Sequence, residues 1–275
     1  MIRILVPFDF SRQSVEALKF ATTLGGRDYL RICLVHAIGL PSMINSSVAL
    51  ELERKYIEIH RERALRNMSK VIARVAKGFK VETVVDFGGP LRVIGTAVKK
   101  TKADIIVMGT QGASGLRELT VGSNTQKVVR NSLVPVIAVR KAVKGFRNIV
   151  LPVTLEGYDR KDLLDFVKMF QQIFNAKLHL LFVNTPAAFH RDIDVRPGLE
   201  AFSRKYNLNN AVVHVVNDIT EAEGIVKFVK DLEQPLVVMS THGRAGLDHL
   251  TKGSVAEDVL NHLSCPQATF RIKSK

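Results

Sequence analysis

An internal repeat constrains the fold of this chain more than any other feature. The segment Gly109-Thr110-Gln111-Gly112 is followed, after nine residues, by Gly122-Ser123. A similar set, Ser240-Thr241-His242-Gly243 with Gly253-Ser254, lies 131 positions further along the chain. In both copies an apolar run precedes the set and a helix-like segment follows it. The chain is therefore a duplication, and each copy combines a strand, a glycine loop and a helix start, which together form an anion site.

The repeat and the chain length predict two domains. From residue 80 against 211 onward the halves align without a gap, and 275 residues suffice for two separate cores. We expect a domain at 1–143 with the intact motif and a domain at 144–275 with a degenerate one. The junction around 144–147 is short, so we expect the two to pack as an intramolecular pseudo-dimer, with 134–139 pairing with 267–272 to cover two sheet edges.

Short apolar runs alternate with helix-period segments, which predicts an α/β fold. Each domain is expected to be an open, Rossmann-like, five-stranded parallel sheet with helices on both faces. The expected strands are 2–7, 31–37, 80–85, 104–108 and 134–139, then 148–152, 177–183, 211–216, 236–239 and 267–272.

Three helices of the first half can be predicted with their buried faces. Ser11 is a suitable N-cap for the first, and Pro90 suits the first turn of the third, while 46–77 forms the long second helix. The side chains expected to point inward are Val15, Leu18 and Ala21, then Leu52, Tyr56, Ile59, Met68, Ile72 and Val75, then Leu91, Ile94, Ala97 and Val98.

The charge of the chain is concentrated in its first half. The formal net charge is +14, and residues 1–143 account for +12 of it, with 23 Lys and Arg against 11 Asp and Glu. Much of this excess falls in the long second helix. The favoured interpretation is a solvated helix face, and the second is a positive field that attracts polyphosphates. Nucleic acid ranks last, because no basic run is interleaved with the stacking aromatics that single-strand binders use.

The apolar runs and the cysteines bear on location. No apolar run is long enough to cross a bilayer, and the first residues are typical of a strand rather than a signal peptide. Cys33 and Cys265 are the two cysteines and form no C-x-x-C pair. We expect a soluble, cytoplasmic protein without a membrane partner.

The glycines of the first copy suit a phosphate cradle. Backbone N–H groups must approach phosphate oxygens closely, and Gly109, Gly112 and Gly122 have no side-chain carbons to block them. Ser123 adds a hydroxyl at a helix amino end, where the dipole favours an anion. Glycine turns that only reverse the chain are the alternative.

These residues resemble the universal stress protein family, in its tandem form with two domains in one chain. The resemblance covers essentially the whole sequence. Its most specific element is the family's nucleotide motif, G-x-x-G, nine residues and G-[S/T], complete here as Gly109, Gly112, Gly122 and Ser123. The resemblance implies an adenine nucleotide alpha hydrolase-like fold that binds ATP, with or without Mg²⁺; ADP, AMP and a cyclic dinucleotide stay open.

The resemblance also implies roles for individual residues. Asp9 would contact the ribose or adenine end, Pro7 and Ala37 would line the base pocket, and Met108 would lie beside it. Asn124, where the family often has valine, would follow Ser123 near the phosphates. A carboxylate after a first parallel strand lies where open α/β sheets bind ligands, but a turn or capping role explains Asp9 equally well.

The second copy departs from the motif at two positions. Thr154 corresponds to Asp9, and Ser240 corresponds to Gly109. Threonine offers no charge, and serine adds a side chain where close backbone approach is expected. We therefore predict one nucleotide site per chain, in residues 1–143, with Gly243, Gly253 and Ser254 forming at most a residual anion site.

Enzymatic and metal signatures are weak. There is no P-loop lysine and no dinucleotide fingerprint after the first strand. The spacing of His242, His249 and His262 matches no zinc pattern, and His36 is expected in the core or at the pocket edge. We expect a non-enzymatic, nucleotide-dependent stress-response regulator with an unidentified protein partner, either as a single chain or as a homodimer. The alternatives are a slow ATPase or nucleotidyl-transfer enzyme, and a scaffold without nucleotide.

Overall fold

The computed structural model of the protein describes residues 1–39, 47–110, 121–154, 161–240 and 255–271, with side chains from residue 54 in the helix that begins at Ser47. The chain divides into two compact units, and the main boundary falls between Ala142 and Val143. Each unit contributes five strands and has its own core.

The N-terminal unit is built on five parallel strands in the order β3-β2-β1-β4-β5. The strands are β1 (Ile2–Pro7), β2 (Leu30–Ile38), β3 (Lys80–Phe87), β4 (Ile105–Gly109) and β5 (Val136–Val139). The helices are α1 (Arg12–Ala21), α2 (Ser47–Val75), α3 (Pro90–Thr101) and α4 (Ser123–Asn131).

The C-terminal unit has the same strand order, β10-β9-β6-β7-β8 read from the opposite end. Its strands are β6 (Asn148–Pro152), β7 (Lys177–Asn184), β8 (Ala211–Asn217), β9 (Pro235–Ser240) and β10 (Gln267–Phe270). Its helices are α5 (Lys161–Phe174), α6 (Asp192–Lys205), α7 (Glu221–Lys230) and α8 (Val255–His262).

Strands β4 and β5 of the N-terminal unit are buried, since helices cover the faces of the sheet. Every residue of β4 and β5 is buried, as expected for parallel strands made of continuous apolar runs. Ser11 caps α1 by accepting a hydrogen bond from Ser14 N at 3.1 Å, and Pro90 opens α3, as predicted.

The helix faces differ from the prediction at several positions. Ile59 is 63% exposed and Leu91 is 38% exposed, so neither belongs to the core. Ala17 and Phe20, which the predicted stripe omitted, are fully buried. The buried stripe of α1 is broader than a single i, i+3, i+6 row, because the helix packs against β1, β4 and β5.

The predicted fold class of two tandem α/β domains, each with a five-stranded parallel sheet, is confirmed. In the part of the chain that the structure describes, no helix combines the length and apolarity needed to span a membrane.

Candidate functional site

The candidate site lies at the carboxyl edge of the N-terminal sheet, between β1 and β4. The chain order runs outward from β1 to β2 and β3 on one side and through β4 to β5 on the other. The gap between β1 and β4 is therefore the topological switch point, where open α/β sheets bind ligands. Pro7 ends β1, Met108 and Gly109 end β4, and Ala37 lies on the adjacent β2, so the structure brings these predicted residues to one edge.

The two halves of the glycine motif meet through backbone contacts. Gly122 N donates a hydrogen bond to Thr110 O at 2.7 Å, and Thr110 N donates to Val139 O at 3.1 Å. The buried Thr125 Oγ1 donates to Gly109 O at 2.9 Å, which ties the first turn of α4 to the end of β4. Gly112 lies outside the described residues.

Among the residues that the structure describes, no side chain caps the amino end of α4. Its N-cap is Gly122 with φ −63° and ψ 145°, no side chain accepts from its first N–H groups, and its first turn holds no acidic residue. Ser123 and Asn124 follow immediately, and both are exposed. With no side-chain partner among the described residues, the first N–H groups and the positive end of the helix dipole suit an external anion.

Thr110 supplies a second polar group at this place. Its side chain is only 3% exposed, and Oγ1 has no hydrogen-bond partner in the part of the chain that the structure describes. A buried hydroxyl without a partner costs about 1–3 kcal/mol. A ligand oxygen would remove that cost, so Thr110 is a candidate donor that the sequence motif, with its emphasis on glycine, did not single out.

Gly109 has a packing role that the sequence motif did not predict. A Cβ at this position would lie 2.7 Å from Gln13 Cβ and 2.8 Å from the Gln13 carbonyl carbon. Side-chain atoms are thus excluded by the backbone of α1, which packs onto the end of β4. Packing between helix and strand is thus a second reason for glycine here, and the close approach of phosphate to Gly109 stays a prediction.

Asp9 is exposed and belongs to the turn that leads into α1. Its Oδ1 accepts a hydrogen bond from Ser11 N at 3.0 Å, a short-range contact that organises the turn. The structure therefore shows the turn role that the sequence left open for Asp9. It leaves Asp9 at the carboxyl end of β1, next to the switch point, and so the two roles are compatible.

An aromatic cluster beside Asp9 was not predicted. Phe10 has φ +65°, a conformation that is uncommon outside glycine, and its ring is 37% exposed. The ring lies 4.8 Å from the His36 ring and 5.2 Å from the Phe8 ring, both edge-on. His36 Nδ1 is 2.6 Å from Phe8 O, and because a carbonyl oxygen only accepts, this nitrogen bears a proton and donates it.

The corresponding edge of the C-terminal unit lies between β6 and β9. Thr154 follows β6 and Ser240 ends β9, and both are half-buried. Gly243, Gly253 and Ser254 lie outside the described residues, as do His242 and His249. The helix that follows, α8, has Glu257 and Asp258 in its first turn, whereas α4 has no acid there. Two carboxyl groups at a helix amino end oppose a second anion.

A groove of about 740 Å³ lies one strand further out in the C-terminal unit, at the ends of β7 and β8. Its walls are mostly apolar, with Pro186, Phe189 and Ile219, and the Asp218–Lys227 ion pair of 2.8 Å lies beside them. None of the motif residues lines it.

The fold and the site define a tandem α/β protein with a glycine motif and an uncapped helix at the switch point of its first sheet. A model of the Universal stress protein family matches residues 1–140 and 145–271. The chain therefore belongs to the universal stress protein family, in the tandem form that the sequence motif predicted.

Individual relatives agree with this assignment. Universal stress protein MJ0531 of Methanocaldococcus jannaschii is 28% identical over 52% of this chain and 84% of its own length. Universal stress protein MJ0577 of the same organism is 29% identical over 50% of this chain and 94% of its own length. A universal stress protein from Archaeoglobus fulgidus has a similar structure, with a TM-score of 0.70 and 20% identity over 98% of this chain and 96% of that one. At this identity the structural likeness supports the fold alone.

Proposed function

We propose that the protein is a non-enzymatic, ATP-binding stress-response regulator with one nucleotide site, in its N-terminal unit. The observation that carries the proposal is the junction of the motif: Gly122 N bonds to Thr110 O, the amino end of α4 is uncapped, and the buried Thr110 hydroxyl lacks a partner among the described residues. The Gly122–Thr110 bond holds the two ends of the motif together, and the Thr110 hydroxyl and the first N–H groups of α4 are the donors available to a phosphate group.

The rest of the ligand is assigned from the position of the sheet edge and from the family motif. Asp9, Pro7, Ala37 and Met108 lie toward β1 and β2, and they form the ribose and base side. The α4 side, with Ser123 and Asn124, holds the triphosphate. Mg²⁺, where it accompanies ATP, would neutralise phosphate charge rather than require its own protein cage.

A regulatory role fits the groups at this edge better than catalysis does. Within the described residues, the motif brings backbone donors and hydroxyls together, but it brings no general base and no pair of metal-binding carboxylates. ATP would act as a signal, by binding two conformations of the protein with different affinity. A cytoplasmic location is part of the proposal, because ATP is available there.

Equilibrium titration with ATP tests the proposal directly. We expect one site per chain. Gly112→Val should lower the affinity at least tenfold, because the new side chain obstructs the loop, and the fold should persist. The matched control is Gly243→Val, the same change at the corresponding position of the second copy, which should leave ATP binding intact. Two equal sites per chain, or wild-type affinity in Gly112→Val, would contradict the proposal.

Two further measurements separate the alternatives. Turnover above about one per minute that is lost in Ser123→Ala would indicate an enzyme, since typical enzymes turn over about once per second or faster. No rise in melting temperature with millimolar ATP would indicate a scaffold that binds no nucleotide, because any ligand that binds the native state stabilises it.

A further inference from the structure

The long helix α2 presents a row of positive charges to solvent. Arg63, Arg66, Lys70 and Arg74 are all exposed. Their spacing of three, four and four residues places them within an arc of about 80° of the helix, over a length of about 17 Å. We call these four residues the α2 stripe. The helix faces that pack inward contain instead the buried Ala64 and Met68.

These charges are not neutralised within the described part of the protein. Arg66 forms an ion pair of 3.0 Å with Glu62, and both side chains are at least 60% exposed, so the pair is weak. Arg63, Lys70 and Arg74 form no ion pair or hydrogen bond with any residue that the structure describes. Like charges at i, i+4, as in Arg66, Lys70 and Arg74, destabilise a helix by a few tenths of a kcal/mol per pair. The stripe is thus unfavourable for the isolated fold.

The positive surface continues past the end of the helix. Lys77 and Lys80 are exposed in the turn and at the start of β3. The Arg27 guanidinium lies beside them, 5.8 Å from the Phe79 ring centre. A Cβ added at Gly78 would lie 3.0 Å from Arg27 Cζ. The cations therefore form an elongated array rather than a compact cluster around one point.

The chemistry of the stripe selects a partner. Between Arg63 and Arg74 no large hydrophobic side chain is exposed, and Ile59 is a single exposed apolar residue one turn before Arg63. The stripe therefore lacks the apolar cluster of a protein hot spot or of a membrane-inserting helix. Three of its four cations are arginines, and one guanidinium can donate two parallel hydrogen bonds to the oxygens of a phosphate. No aromatic ring lies among them to stack on an unpaired base.

We propose that the α2 stripe binds the phosphate backbone of duplex nucleic acid without reading its base sequence. A duplex is a line of phosphates, with one negative charge per about 1.7 Å of its axis, and it matches a linear array of cations. The sequence pattern ranked nucleic acid last because stacking aromatics are missing, but contact with a duplex backbone does not require them. The inference is independent of the proposed nucleotide site, which lies at the end of β4.

The salt dependence of binding measures the number of phosphates contacted. Fluorescence anisotropy with a 20-base-pair labelled duplex, titrated between 50 and 200 mM salt, should give a slope of log K against log salt of about −3 to −4 for four contacts. The variant Arg63→Gln/Lys70→Gln/Arg74→Gln should reduce the size of this slope by about 3 and weaken binding equally for duplexes of unrelated sequence.

A matched control has the same change in net charge elsewhere on the N-terminal unit. Lys99, Lys100 and Lys141 are exposed and lie off the stripe, so Lys99→Gln/Lys100→Gln/Lys141→Gln should keep the wild-type slope. Both variants should keep the wild-type circular dichroism spectrum and ATP affinity. Retained ATP binding in the stripe variant separates this inference from the proposed function, since failure of one leaves the other measurable.

Three outcomes would overturn the inference. One is the absence of duplex binding by the wild-type protein at 50 mM salt. Another is an equal loss in the stripe variant and the lysine control, which would mean that total charge alone is responsible. The third is stronger stripe-dependent binding to vesicles of phosphatidylcholine with 30% phosphatidylserine than to the duplex, which would assign the stripe to a membrane surface.

Discussion

Gly109 at the end of β4 lies so close to Gln13 of α1 that a methyl group could not be added between them: its Cβ would lie 2.7 Å from Gln13 Cβ and 2.9 Å from Gln13 O. The first contact is with a side-chain atom fixed to the helix, and the second is with the helix backbone. Neither can move away without shifting α1. This relationship leads to the first prediction.

Gly109→Ala should destabilise the protein by about 1–3 kcal/mol, as overpacking of a well-packed site does. Urea denaturation measures the effect. The matched control is Gly95→Ala in α3, where a new Cβ meets no atom within 4 Å and the change should raise helix stability by about 0.5–1 kcal/mol. If Gly109→Ala were as stable as wild type and lost only ATP affinity, the packing role would be wrong and the predicted approach of phosphate to Gly109 would be supported.

Thr125 is the second residue that fixes the end of β4. Thr125→Val removes the donor to Gly109 O and leaves that carbonyl without its side-chain partner, which should cost about 1–3 kcal/mol. Thr125→Ser keeps the hydroxyl and should lose less. Thermal melting of the two variants checks this. ATP affinity should fall more in Thr125→Val than in Thr125→Ser, because Thr125 holds α4 against the strand. Equal affinity in Thr125→Val and wild type would show that ATP binding does not depend on this hydrogen bond.

A histidine pair, with His179 buried and His214 half-buried, is expected to make the C-terminal unit sensitive to acid. His179 Nδ1 is 3.0 Å from His214 Nε2, and His179 Nε2 is 2.9 Å from Asn148 Oδ1. Asn148 Nδ2 donates to Glu233 O, which orients the amide so that His179 Nε2 bears the proton and His214 Nε2 donates to His179 Nδ1. Burial, then the neighbouring His214 and Lys177, lower the pKa of His179 to about 4. Burial, Lys177 and Arg196 lower the pKa of His214 as well.

This lowering predicts the direction of the pH dependence. Between about pH 4 and the ordinary histidine pKa of about 6.5, the unfolded chain binds more protons than the folded one, so stability rises with pH in this window and is fully present above it. We expect a loss on the order of 1–2 kcal/mol on acidification from pH 7 to pH 4.5, after allowance for solvent screening. His179→Gln should make the midpoint of urea unfolding depend less on pH. His262→Gln, at an exposed residue, should leave this pH dependence as in wild type. An unchanged slope in His179→Gln would contradict the assignment.

The sequence predicted the strands well because each is a continuous apolar run bounded by polar residues, as in β4 and β6. Their order along the chain follows from the alternation of strands and helices. The ends of β2 and β3 extend one or two residues further than predicted, since pairing with a neighbour lengthens a strand beyond its apolar core. Ile59 and Leu91 were wrongly assigned to the core, because helical period alone does not fix how wide a face is covered.

The candidate site was predictable only where it is a sequence motif. The spacing of Gly109, Gly122 and Ser123 located the edge of the sheet, and the structure joins its two ends at the Gly122–Thr110 bond. The orphan hydroxyl of Thr110 and the contact between Gly109 and Gln13 depend on tertiary packing, and no local pattern encodes them. The acids Glu257 and Asp258 were visible in the sequence. Only the observed start of α8 shows that they lie in its first turn, where they oppose an anion.

The difference between α4 and α8 provides a test of why one copy would bind ATP and the other would not. The repeat offset of 131 residues places Gln126 and Lys127 of α4 opposite Glu257 and Asp258 of α8. Transplanting the acids as Gln126→Glu/Lys127→Asp puts negative charge at the fourth and fifth residues of α4, close to its amino end, where each is expected to oppose a bound triphosphate by about 0.3–1 kcal/mol. ATP affinity measured by calorimetry should therefore fall about three- to thirtyfold. Thr96→Glu/Lys99→Asp, at exposed residues of α3, makes the same change in net charge and should leave the affinity near wild type. If both double variants weakened binding equally, the helix amino end would not be where the phosphates bind, and long-range charge would account for the effect instead.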